Sequence, residues 1–328
     1  MSKVRQHILD SLTKNRAPGS LLLLTNDVPL GRKLLDILNT PSAILEVPLN
    51  TPVKHLATLS VVRESTHIIE LYQPDLANSI YLKELRQALF DQGKYVLALW
   101  NWDELYLDDQ FWGNLDYGAI SASVTTLAAQ LSAVENIRIT SDNGTDISFS
   151  VAGRPWISAD GYCDLHKLAQ LPDGEVYTCP VEETFSGTIM VDGTVSRLWL
   201  PEKPLKLKFE AGTLVEGSPA FIDWLERYAG GIRIIGEFAL GMNPNITSPY
   251  HNISTDEKEG GSVHFALGDS YNLGLTHSIY HVDFVVRKPT IYTDGRILHD
   301  YLPKSTVSAT ANKQSIPTTK QSLHVNTH

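Results

Sequence analysis

Five ionisable side chains sit inside apolar, strand-like stretches of the second half of the chain. They are Glu175 in DGEVYTCP, Glu237 in IIGEFALG, His264 in GSVHFALG, and His281 with Asp283 in SIYHVDFVV. Successive side chains of a strand point to opposite faces, so His281 and Asp283 share a face while Val282 points away. Apolar neighbours on both sides predict partial burial, and an unpaired buried charge is costly. A hydrogen-bonded pair, a catalytic dyad or a metal ion would each compensate it. Carboxylates and imidazoles gathered in one domain desolvate and repel one another unless a cation neutralises them. Imidazole with carboxylate suits zinc, manganese, cobalt or ferrous iron, and the lack of a CxxC pair argues against a structural thiolate site. Two histidines and one aspartate make a facial triad for one iron. Adding Glu175 and Glu237 supplies enough anionic ligands for two divalent ions sharing a bridging carboxylate. The plain alternative is a polar network with a purely structural role.

The elements that must position these residues follow from hydrophobic period. The first part alternates helical and strand patterns: VRQHILDSLTK, then SLLLLTN, GRKLLDILN, THIIELYQ, YLKELRQALFDQG and YVLALWN. That rhythm predicts a layered α/β domain with a mostly parallel sheet over 1–135. TNDVPLGRK is too poor in glycine for a phosphate or dinucleotide loop. From about Glu135 the pattern changes. NIRITSDNGTDISFS reads as a hairpin around an Asn-Gly turn, and short strands continue to about Pro303, interrupted by the helical SPAFIDWLERYAGG. The fold class expected is therefore α/β plus α+β, with a β-rich metal-site domain over 136–303. The polar, Ser/Thr-rich stretch 304–328 is expected to be a disordered tail.

Composition bounds the partners. The 328 residues carry 37 acidic against 27 basic side chains, a formal charge of −10, with no basic cluster to meet a phosphate backbone, so no nucleic-acid partner is expected. No 18-residue apolar run appears, and the N-terminus lacks the apolar core of a secretory signal, so neither a membrane span nor export is expected. Two cysteines, Cys163 and Cys179, form no disulfide framework and fit a cytoplasmic location.

GTDISFSVAGRPW, LPDGEVYTCPVEETFSG, GEFALGMNPNI, DEKEGGSVHFALGDSY and SIYHVDFVV…TIYTDGRIL resemble, in order and character, the thermophilic metallo-aminopeptidase family (aminopeptidase T and aminopeptidase S). The resemblance covers roughly Asn136 to Leu298. It implies metal ligands at Glu175, Glu237, His264, Tyr271, His281 and Asp283, and a general acid/base at Glu257, with Glu259 competing for that role by spacing. It further implies two divalent ions (zinc, cobalt or manganese), a peptide or small-molecule substrate, and a homodimer. Read without it, Tyr271 is an ordinary interfacial tyrosine and DEKE a solvated loop.

The chain is shorter than typical members, and only seventeen positions separate His264 from His281. Shorter relatives include proteins similar to 2,5-dihydroxypyridine 5,6-dioxygenase, so the scaffold does not fix the reaction. Two enzymatic expectations result. One is a two-metal aminopeptidase in which Glu257 moves the proton. The other is a one-iron, Fe(II) ring-cleaving dioxygenase, held by His264, His281 and Asp283, with Glu175 as acid/base. A binding protein that has lost catalysis would be expected to have lost a ligand such as Glu237 or His264, and neither is missing.

Overall fold

The computed structural model describes residues 2–14, 19–48, 50–73, 79–196 and 201–302. The expected disordered tail, 304–328, lies outside the described residues.

The first half builds the expected parallel sheet. Strands β1 (Leu21–Thr25), β2 (Ser42–Glu46), β3 (His67–Leu71) and β4 (Tyr95–Ala98) are joined at one edge by β8 (Ala169–Gln170), in the order β2-β1-β3-β4-β8. Every neighbouring pair is parallel. Strands buried on both faces need apolar side chains in both directions, which is why LLLLT and HIIEL do not alternate. Leu22, Leu24, Ile68 and Val96 pack under the helices Val53–Thr58 and Ser79–Phe90. Leu21, Leu23, Ile69 and Leu97 face the other way, into a cluster that continues through the second half to Ile291. The helix Tyr117–Leu131 belongs to that cluster and is not anticipated by the patterns above. Its apolar positions, Tyr117, Ile120, Val124, Leu127 and Leu131, recur at helical spacing but stand among Ser, Thr and Ala.

The second half contains two antiparallel sheets. One is built from β5 (Asn136–Thr140), β6 (Asp146–Ser150), β10 (Ser186–Val191), β11 (Leu205–Glu210), β12 (Thr213–Gly217), β16 (Thr290–Thr293) and β17 (Arg296–Ile297). The other runs β15 (His281–Val286), β14 (Val263–Gly268), β13 (Ile235–Gly241), β9 (Glu175–Thr178) and β7 (Ile157–Ala159). They meet through aromatic rings. Phe149 lies 4.9 Å from Phe238, and Phe185 lies 5.7 Å from Phe265. Each such pair adds about 0.5–1.5 kcal/mol beyond the area it buries. Both sheets lie wholly after residue 135, while β8 and the shared apolar cluster tie that half to the first sheet. SIYHVDFVV enters its sheet only at His281, because Ser270 closes a loop onto Thr276 before it.

Candidate metal centre

Register explains how the ionisable residues meet. Glu237 pairs with Ala266 and Ala239 with His264 across β13 and β14. Ala266 then pairs with Asp283, and Gly268 with His281, across β14 and β15. Gly241 pairs with Glu175 on the other side. Paired residues share a face, so Glu175, Glu237, His264, His281 and Asp283 all project from one face of this sheet. Phe238, Phe265 and Phe284 fill the opposite face with the aromatic core. The residues between the ionisable ones on the polar face are Ala239, Ala266, Gly241 and Gly268, which leave room for the long side chains. The same five-residue pattern, EFALG and HFALG, therefore serves twice on paired strands.

The distances are short. His264 Nε2 lies 3.1 Å from Glu237 Oε1 and 3.4 Å from Glu175 Oε2. His281 Nε2 lies 3.0 Å from Asp283 Oδ1 and 3.7 Å from Glu237 Oε2. Glu237 thus stands between the two histidines with one oxygen toward each. One donor atom from each of Glu237, His264 and Asp283 falls within 4.8 Å of the others. His264 is 1 % exposed, whereas the side chain of His281 is 17 % exposed, so the cluster opens at the His281 end.

Both imidazoles are oriented from behind. His264 Nδ1 donates to the Glu257 carbonyl at 3.1 Å, and His281 Nδ1 donates to the Asp269 carbonyl at 2.8 Å. A carbonyl only accepts, so each Nδ1 carries the hydrogen and each Nε2 turns toward the carboxylates. Metal-ligating histidines are held in this way. Ser196 Oγ donates to Asp283 Oδ2 at 3.1 Å and accepts from the Asp283 amide at 2.8 Å. Burial alone would lower the His264 imidazole, but the hydrogen bond with Glu237 and the charges of Glu175 and Glu257 push it up to about 9. Against the same burial, Asp283 pushes His281 up to about 10, and His281 in turn holds the Asp283 carboxyl well below its usual range. The cluster therefore demands positive charge. Protons on Nε2 supply it, and a divalent ion would displace them. Glu175 Oε2, buried and without a hydrogen-bond partner among the described residues, is a further oxygen aimed at that position. The donor set fits a divalent ion.

The DEKE segment is not a solvated loop. Asp256, Glu257, Lys258 and Glu259 are all buried, because the segment is clamped on several sides. Thr255 shares a 2.9 Å hydrogen bond with Tyr106 of the first half, and Gln170 Nε2 donates to the Ser254 carbonyl. A Cβ on Gly241 would stand 2.2 Å from the Glu259 carbonyl, so only glycine admits this approach. Glu259 turns away from the cluster into a two-pronged pair with Arg287, at 2.7 and 2.6 Å. Glu257 turns toward it. Burial pushes the Glu257 carboxyl up to about 7, against the lowering effect of Lys258. Tyr271 lies with its ring 4.6 Å from that of His281 and stays half-exposed. The sequence reading missed Lys258, whose Nζ lies 2.5 Å from Glu175 Oε1 and 2.9 Å from Glu257 Oε1. It also missed Ser196.

Fold and site together define an α/β chain whose β-rich half gathers Glu237, His264 and Asp283 where they could hold a divalent ion. Residues 116–297, more than half of the chain, match the thermophilic metalloprotease family (M29), and the chain belongs to that family. Membership carries with it a metal-dependent peptidase class and a divalent metal. The fold is similar to that of 2,5-dihydroxypyridine dioxygenase from Pseudomonas putida KT2440, with a TM-score of 0.67 at 14 % identity, over 91 % of this chain and 97 % of that one. It is also similar to wild-type AmpT from Thermus thermophilus, with a TM-score of 0.65 at 16 % identity, over 89 % and 94 %. No curated protein matches the sequence significantly. Among the described residues no helix is long and apolar enough to cross a membrane.

Proposed function

We propose that the chain is a metal-dependent, aminopeptidase-like hydrolase that cleaves an N-terminal peptide or amide bond. Within the family, the observation that carries this reading is the orientation of the two imidazoles. Each is fixed by a main-chain carbonyl, and each presents Nε2 to carboxylates in one largely buried cluster. Glu237, His264, His281 and Asp283 would hold a divalent ion, with zinc, cobalt and manganese as the candidates. Such an ion supplies Lewis acidity, acidifying water and polarising a carbonyl.

The chain's own residues do the rest. Glu257, its Oε1 held by Lys258, takes a proton from the attacking water and returns it to the leaving amine. A carboxyl raised to about 7 exchanges a proton readily at neutral pH. Ser196 and the Asp269 carbonyl keep Asp283 and His281 in place. Substrate approaches past Tyr271 and His281, the most exposed members of the group. No disulfide joins the cysteines, which supports a cytoplasmic setting. A homodimer is the proposed assembly, checked by light scattering.

A second reading keeps its place because His264, His281 and Asp283 would also supply the two-histidine, one-carboxylate set of ferrous oxygenases. A solved dioxygenase shares the fold. In that reading Glu175 acts as acid/base beside the substrate. One experiment separates the two. Chelated protein is reloaded with zinc, cobalt, manganese or, without oxygen, iron, and then given aminoacyl-p-nitroanilides or 2,5-dihydroxypyridine. Release of nitroaniline with any of these metals is the expected result. Oxygen uptake with iron alone, and no amide hydrolysis with any metal, would sink the hydrolase reading.

A further inference from the structure

Lys258 is the unexpected charge in this site. Its side chain is 5 % exposed, and its ammonium contacts two carboxylates at once, Glu175 at 2.5 Å and Glu257 at 2.9 Å. The other oxygen of Glu175 faces His264 Nε2 at 3.4 Å, so the ammonium stands one carboxylate away from the Glu237, His264 and Asp283 donors. The backbone leaves the side chain little choice of direction. The Lys258 carbonyl accepts from the Asn243 amide at 2.9 Å, the residue before it gives its carbonyl to His264, and the residue after it is locked to Arg287.

Hydrolytic two-ion sites place their ions roughly 3.5–4 Å apart, with carboxylates shared between them. Here Glu175, the carboxylate that would serve a second ion, is already engaged by an ammonium, which also holds the neighbouring Glu257. A dication on the same oxygens would face that like charge across a buried site, where it is poorly screened. The remaining anionic donors, Glu237 and Asp283, balance one dication with the neutral imidazoles.

We propose that Lys258 is a built-in cation standing in the place of a second ion. The chain then takes a single divalent ion among Glu237, His264, His281 and Asp283. This deepens the metal-dependent reading above and rests on it. Lys258 acts through Glu175 and Glu257 as a positioning residue: it keeps Glu175 from drawing in another ion and holds Glu257 at a fixed angle.

The probe is manganese alone, added to the metal-free full-length chain. Stoichiometry is read by equilibrium dialysis and coupling between ions by electron paramagnetic resonance. Wild type is expected to bind one ion per chain, with the spectrum of an isolated Mn(II). Lys258→Met is expected to bind two, with an exchange-coupled spectrum, and Lys258→Arg, which keeps the charge, to bind one. Two coupled ions in wild type overturn the proposal, as does a folded Lys258→Met protein that binds one ion with unchanged affinity. Should Lys258→Met fail to fold, wild type and Lys258→Arg still decide, since a second ion in either overturns it and a single ion in both supports it. Wild type that binds no divalent ion, manganese or zinc, overturns the metal-dependent reading itself. Two coupled ions with metal-dependent hydrolysis overturn only the role of Lys258.

Discussion

Two regions of this molecule bury carboxylates, and they solve the same problem differently. In the first sheet, Glu70 near the end of β3 is fully buried. Its carboxyl group lies beside the Trp100 indole, and Arg86 Nε is 3.9 Å away, too far for a close ion pair. Burial pushes its carboxyl up to about 7, so it meets its cost by holding a proton. In the second half, Glu175, Glu237 and Asp283 lie beside Lys258, His264 and His281, all within hydrogen-bonding or ion-pairing distance. Burial of an acid is thus no sign of a metal centre. Convergence of several acids on imidazoles whose far nitrogens are already spoken for is the informative pattern.

The contrast can be broken most forcefully at Glu257. Glu257→Gln should lower kcat by about 10²–10⁴-fold, as expected for loss of a general acid/base. Glu259→Gln should leave turnover within a few-fold, since its partner is Arg287. Steady-state kinetics on an aminoacyl-p-nitroanilide measures both, and a reversed order would move the proton carrier to Glu259.

A smaller effect is expected at Glu70. Its folded value, about 7, exceeds the ordinary 4.5, so the folded chain keeps a proton that the unfolded chain releases. Its contribution to stability is therefore full below about pH 4.5, falls as pH rises to about 7, and is level above. Glu70→Gln should remove that slope and stabilise the protein at pH 8 by on the order of 3 kcal/mol, following from about 1.4 kcal/mol per unit. Denaturant midpoints at pH 5 and pH 8 check it. An unchanged slope would show that Glu70 is ionised and paired after all.

The mildest prediction concerns the metal centre as a whole. A divalent ion at a hundred times its dissociation constant should stabilise the chain by about 2.7 kcal/mol, raising Tm by several degrees, and chelation should reverse this. Calorimetry with and without chelator measures it, and Glu237→Gln should erase the difference.

Much of this was legible in the sequence because it depends on local pattern. The unbroken apolar run of β1 and the Asn-Gly turn between β5 and β6 each predict their element. The same-face placement of His281 and Asp283 follows from the two-residue period alone. The helix Tyr117–Leu131 escaped because Ser and Thr obscure its regular apolar spacing. Lys258 escaped for a deeper reason. A lysine flanked by glutamates reads as a solvated run, and contacts with Gly241 and Asn243, and with Tyr106 and Gln170 far back in the chain, hold it in a buried one. Contacts that remote in sequence leave no mark on the segment they reshape.

The stretch from Asn252 to Glu259 rests on Tyr106 and Gln170 at one end and supplies the His264 carbonyl partner at the other. An ion at the cluster would therefore be joined to the parallel-sheet layer through this one stretch of backbone. Were binding there to draw the stretch tighter against Tyr106, linkage would require a change at Tyr106 to alter the ion's affinity by the same factor.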